Sequence, residues 1–189
     1  MQLRPNDQTY KWWALSCTSL GMLLATINSG TLIIALPDLE RSLHTSLLEL
    51  VWVILVYMIA STVLVLSAGR LSDQFGRKQA YIGGFVLFAL ASLGAGFAAN
   101  GTQLILWRIL QGVGGSFLFA NAAAIVTDAF PRDQLGLAMG TNTMVAAVGL
   151  VIGPVLGGAL VAVGWPWVFW FNVPLALAGS AWAGLILRD

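Results

Sequence analysis

Apolar residues in this chain fall into six long blocks separated by short polar stretches, at 12–36, 50–68, 79–99, 101–126, 135–163 and 165–187. Each block approaches or exceeds the roughly 20 residues a helix needs to cross a hydrocarbon core about 30 Å thick. Apolar and polar positions do not alternate within the blocks, so they do not read as the ten-residue strands of a membrane β-barrel. Lipid offers no partner to a free backbone N–H or C=O, and a helix pairs all of its own. The pattern therefore predicts an all-α membrane protein of six transmembrane helices. Residues 1–11 precede the first helix as a short N-terminal segment, and 12–189 form a single six-helix bundle.

Composition agrees with this reading. Hydrophobic residues make up 58% of the chain and charged residues 9%, against about 25% charged in an ordinary soluble domain. So few charges cannot clothe a soluble core. A net charge of +1 gives no argument for nucleic acid. The single cysteine, Cys17, has no internal partner for a disulfide. Ala14-Leu15-Ser16 before it faintly resembles a lipoprotein cleavage site, but the apolar run follows Cys17 instead of preceding it. A small buried residue is the simpler reading. The first block is too long for a signal-peptide core and lacks a small-residue cleavage site, so it reads as a retained helix. No cluster of His, Cys and carboxylates appears, and His44 stands alone in a loop. No metal, no cofactor and no enzymatic centre are expected.

Charge sets an orientation. Of the nine Lys and Arg residues, Arg4, Lys11, Arg70, Arg77, Lys78, Arg132 and Arg188 fall on one side of the six-helix scheme and Arg41 on the other. Positive loops stay in the cytoplasm, so both termini are expected there, in the plasma (inner) membrane. Tyr10, Trp12 and Trp13 at one end, with Trp165, Trp167 and Trp170 at the other, fit aromatic interface belts.

Polar residues inside the blocks mark candidate function. Arg108 lies in the fourth block, about seven residues or roughly 10 Å from its outer end. An arginine near a helix centre costs on the order of 2.5–3.5 kcal/mol to insert, so such a residue usually faces a cavity and has a partner. Snorkelling to the interface is the bland alternative. Gln111 follows one turn inward on the same face, and Asn28 in the first block is a neutral partner candidate. Every Asp and Glu lies near a helix end or in a loop. Thr31, Tyr57, Ser61, Thr141 and Asn142 are further polar positions on the first, second and fifth helices. A cavity between helices one, two, four and five would account for them. The third and sixth helices, poor in polar groups, read as lipid-facing or scaffold-like.

Two glycine patterns stand out. Gly149, Gly153 and Gly157 recur at four-residue spacing, with Gly158 adjacent, as in small-residue faces that let helix backbones approach closely. Pro154 removes one helical hydrogen bond and predicts a bend there. Residues 69–78 read GRLSDQFGRK. Gly69 and Gly76 permit a tight turn, Asp73 and Arg77 have ion-pair spacing, and Lys78 adds positive charge. Asp128, at the cytoplasmic end of the fourth helix, is placed to join Arg77.

GRLSDQFGRK resembles the signature loop of the major facilitator superfamily, G-x-L-x-D-x-x-G-R-[KR]. LILWRILQG at 104–112 resembles that family's fourth-helix signature. GLVIGPVLGG at 149–158 resembles the fifth-helix signature of its antiporters, G-x-x-x-G-P-x-x-G-G. WPWVFWFNVP at 165–174 resembles the opening of the sixth helix, W-R-W-x-F-x-x-N-x-P. Together they are similar to the fourteen-helix drug:proton antiporters of the EmrB/QacA type. The resemblance implies a bundle of two inverted three-helix repeats, acting as the N-terminal half of a proton-coupled efflux transporter for hydrophobic or cationic drugs. It implies a second six-helix bundle as partner, from another chain or a second copy. It gives Arg108, Gln111 and Asn28 to proton coupling. Gly69, Asp73, Gly76, Arg77, Lys78 and Asp128 take the role of a conformational lock, and Gly149, Gly153, Pro154, Gly157 and Gly158 shape the fifth helix for antiport. The chain departs from the family pattern at Asn28, where the family has Asp, at Gly30, where it has Thr, and at Pro166, where it has Arg. With only six helices here, the alternative is a truncated or non-transporting membrane subunit that needs or regulates a second bundle.

Overall fold

A computed structural model describes residues 7–188 and is all-helical over them. Arg4, most of the N-terminal segment and Asp189 lie outside the described residues. The elements are α1 (Asp7–Leu43), α2 (Leu47–Val63), α3 (Val65–Phe75), α4 (Arg77–Gly96), α5 (Gly101–Ala129), α6 (Leu135–Val161), α7 (Trp167–Trp170) and α8 (Asn172–Ile186). Among the described residues five helical stretches are long and apolar enough to cross a membrane, or six if α2 and α3, which meet at a 48° bend, count as one broken span.

Local chemistry explains several boundaries. α1 runs through Pro37 to Leu43, longer than the 12–36 block, and ends at His44 with φ +49°. α2 opens with a capping box: the Glu49 backbone N–H donates to Ser46 Oγ, and the Ser46 N–H donates to the Glu49 carboxylate. The Asn100 side chain caps α5 by accepting from the Gln103 N–H at 2.8 Å. The break at Leu64 falls inside the 50–68 block, with no proline or glycine beside it. Ser61 Oγ donates back to the Met58 carbonyl at 3.1 Å just before the break, a local bond that competes with the helix. At Pro154 the bend expected from sequence does not break the helix: α6 is continuous from Leu135 to Val161.

The most extensive pairing joins α1 to α6, followed by α4 to α5 and α2 to α5. Glycine makes the first possible. A Cβ on Gly153 would lie 2.7 Å from the Gly30 Cα, and one on Gly157 would lie 2.7 Å from the Thr31 carbonyl oxygen. The two backbones touch where side chains would otherwise hold them apart. Gly158 faces open space and belongs to no such contact.

The third and sixth blocks are not the outermost ones. α4 buries Tyr81, Phe85 and Phe88 completely, and half of its most apolar window is buried. For α6 that share is 17%. α6 is thus pinned to α1 along one glycine edge and otherwise presents Val151, Val155 and Leu150 outward.

The buried apolar side chains form two main clusters, one around Cys17, Leu24, Tyr81, Phe85, Phe88 and Leu118, the other around Leu32, Leu39, Val53, Leu104 and Phe169. On α1, α4 and α5, and from α7 into α8, the chain passes from one cluster to the other through a polar residue: Asn28, Ser92, Arg108 with Gln111, and Asn172. A polar layer divides the core.

Candidate functional site

That layer is centred on Arg108. Its side chain is 1% exposed, and among the described residues it is the one charged side chain that is buried. Its Nε donates to the Val53 carbonyl at 3.1 Å, its Nη1 to Gln111 Oε1 at 2.5 Å, and its guanidinium stacks on the Tyr57 ring 4.2 Å from the centroid. The acceptors are neutral, so the cation is compensated by dipoles and a π-face and not by a carboxylate.

Gln111 carries the network onward. Its Nε2 donates to Ser92 Oγ at 2.7 Å and to Asn28 Oδ1 at 3.2 Å. Asn172 Nδ2 donates to the same Asn28 oxygen at 3.2 Å. One amide oxygen on α1 therefore receives donors from α5 and α8. Two atoms of the layer, Asn28 Nδ2 and Asn172 Oδ1, are buried with no hydrogen-bond partner. Sequence reasoning placed Arg108, Gln111 and Asn28 together and passed over Ser92 and Asn172. Each sits where the chain crosses between the two apolar clusters, a position that the packing reveals and the hydropathy pattern does not.

The expected cavity residues do not share one space. Tyr57 and Ser61 line a cleft of about 360 Å³ together with Ser29 of α1, Met58 and Thr62 of α2, Val65 of α3 and Phe119 of α5. Five of its seven lining residues come from α2 and α3, on the two sides of the bend. Thr31 lies elsewhere, with its backbone against Gly157 and its hydroxyl donating to the Asn28 carbonyl. Asn142 ties α6 to α1 by accepting from Ser19 Oγ at 2.7 Å and donating to Thr18 Oγ1 at 3.1 Å. Thr141 is partly exposed and donates back to the Leu137 carbonyl of its own helix.

The 69–78 segment forms a second, separate site. Gly76 joins α3 to α4 at φ +97°, a conformation that penalises any side chain. Gly69 has room around it, with Ala120 4.0 Å from where a Cβ would stand. Arg77 Nε donates to Asp73 Oδ1 at 3.0 Å, and its Nη1 donates to the Asp128 carboxylate and to the Ala124 carbonyl. The turn is thereby tied to the end of α5. Lys78 follows in the first turn of α4, half-buried. Among the described residues no group of three or more His, Cys, Asp or Glu side chains is arranged to hold a metal ion.

Comparison with known proteins adds the following. The family model described as the Major Facilitator Superfamily matches residues 18–189. An uncharacterized MFS-type transporter of Mycobacterium tuberculosis is 37% identical over 93% of this chain and 31% of its own length. The tetracenomycin C resistance and export protein of Streptomyces glaucescens is 33% identical over 94% of this chain and 33% of its own. A riboflavin transporter of Clostridioides difficile is 33% identical over 88% of this chain and 37% of its own. The chain thus spans about a third of the length of the curated relatives it matches. In fold it is similar to a bacterial homolog of the human lysosomal transporter Spinster, solved in an inward-facing, unoccupied conformation. The TM-score is 0.85 at 18% identity, over 95% of this chain and 43% of that one.

Proposed function

This chain belongs to the Major Facilitator Superfamily, and on that footing we propose that it forms the N-terminal bundle of a proton-coupled efflux antiporter for hydrophobic or cationic drugs. That it is an integral membrane protein of a transporter family, and not an enzyme, follows from the family itself. The finer reading rests chiefly on one observation: a single charge, Arg108, buried mid-helix among neutral partners. Such a residue costs free energy to insert and is kept where a membrane protein moves ions or substrate. The names of two relatives, one an export protein for tetracenomycin C and one a riboflavin transporter, support an organic small molecule as cargo.

In this reading Arg108, Gln111 and Asn28 form the coupling network, and the Asp73–Arg77–Asp128 cluster steadies the cytoplasmic end of the bundle. Gly153 and Gly157 let α6 slide or rock against α1 with backbones in contact and Gly149 makes room for the Thr26 side chain, Pro154 and Gly158 completing that motif. Both termini face the cytoplasm by the positive-inside rule. The pathway is completed by a second six-helix bundle, packed in parallel about an axis along the membrane normal. The outward-facing apolar residues of α6 and α2 support this.

Asn28 cannot titrate, which gives a direct test. The reconstituted protein is loaded into proteoliposomes with an imposed pH gradient, and drug uptake is followed for the wild type and Asn28→Asp. The variant is expected to change the pH dependence of transport. Identical pH profiles would remove Asn28 from the coupling network. The alternative, a non-transporting subunit, predicts no gradient-driven uptake by either protein, and a native mass showing a heterologous membrane partner.

A further inference from the structure

We infer that the cleft on this bundle selects uncharged aromatic ligands bearing a hydrogen-bond acceptor over cationic ligands of the same size. This rests on the transporter reading and narrows its substrate class. The cleft offers hydroxyls and apolar surface. Tyr57, Ser29 and Ser61 line it alongside Met58 and Phe119, and no lining residue carries a charge. One ring away stands a full positive charge: the Arg108 guanidinium lies 4.2 Å from the centroid of Tyr57, and Tyr57 itself borders the cleft. Among the described residues no Asp or Glu is buried to offset it.

Charge complementarity decides what such a surface accepts. A cation in the cleft meets only the 3% of Tyr57 that is exposed and stands about 8 Å from the guanidinium on the far side of the ring. At an effective dielectric of about 20 that repulsion lowers its affinity by tens of fold, and partial solvent exposure of the cleft reduces this to about tenfold. Stacking on Tyr57 does not rescue the cation, because Arg108 already draws on that π-system. A neutral aromatic ring meets no such penalty. It gains apolar contact with Met58 and Phe119 and, if it carries a carbonyl, can accept from the Thr62 hydroxyl, since those of Ser29 and Ser61 already donate to the Ala25 and Met58 carbonyls.

Two tricyclic probes of matched size separate the outcomes. Acridone is neutral and carries a carbonyl; N-methylacridinium is a permanent cation. Fluorescence titration of the full chain in nanodiscs is expected to show acridone binding about tenfold more tightly. Arg108→Gln, which retains side-chain donors and removes the charge, should bring the two affinities within about twofold. Met58→Glu adds a carboxylate at a side chain that is 55% exposed, so it leaves the core intact. It should raise cation affinity and reverse the preference. Equal or tighter binding of N-methylacridinium by the wild type would overturn the inference. So would a ratio indifferent to Met58→Glu, or no saturable binding of either probe. Because binding is read without transport, inactive proteoliposomes alongside the expected ratios would count against the transporter reading and leave this inference standing.

Discussion

Arg77 and Arg108 are held in opposite ways. Arg77 sits at a helix start with 35% of its side chain exposed. It is met by two carboxylates, Asp73 and Asp128, that are themselves 61% and 64% exposed. Arg108 is buried and is met by an amide, a backbone carbonyl and a tyrosine ring. Water already solvates the first ion pair, so its partners add little, and exposed pairs are typically worth 0–1 kcal/mol. At Arg108 no water competes, so each neutral hydrogen bond to the cation matters more. The difference teaches that formal charge pairing is a poor guide to which site carries energetic weight. The site with two salt bridges is the cheaper one to disturb.

The comparison can be broken at either end. Gln111→Leu removes the side-chain acceptor of Arg108 and the donor to both Ser92 and Asn28. It should cost about 3 kcal/mol, read as a shift in the denaturation midpoint of the purified protein. A loss below about 1 kcal/mol would mean the network is slack. Gly76→Ala asks for a side chain at φ +97° in the charged turn, and about 1–3 kcal/mol is expected. That cost would come from backbone strain and not from the ion pairs beside it. Arg77→Ala should cost at most about 1 kcal/mol, and added salt should shrink even that. If Arg77→Ala proved as damaging as Gln111→Leu under the same denaturation, the contrast between the two sites would be wrong.

The two sites also differed in how far the sequence disclosed them. Asp73 and Arg77 are four residues apart on one continuous segment, and Arg108 and Gln111 share a face at i, i+3, so local spacing was enough. Asp128 was reachable from the topology, since α5 must return to the side where α4 begins. Ser92 and Asn172 were hidden. On a helix apolar all round, hydropathy does not say which face meets a neighbour, so α4 and α8 read as lipid-facing although α4 is half-buried. The same blindness applied to α6. Its glycines announced a contact, and Gly149, Gly153 and Gly157 make it, but the pattern did not reveal that most of the helix faces outward. The break at Leu64 had no proline or glycine to signal it. Ser61 bonds back to its own helix just before it, but serine does that in many straight helices. The six apolar blocks themselves were legible because a membrane span is set by length and hydropathy alone.

The measurement that bears most directly on the account is gradient-driven drug uptake by Arg108→Ala, taken alongside its membrane insertion and beside Arg77→Ala. The expected result is loss of uptake in Arg108→Ala with normal insertion, while Arg77→Ala inserts equally well and retains part of its activity. Full uptake by Arg108→Ala would contradict the claim that the buried guanidinium is the working centre of this bundle.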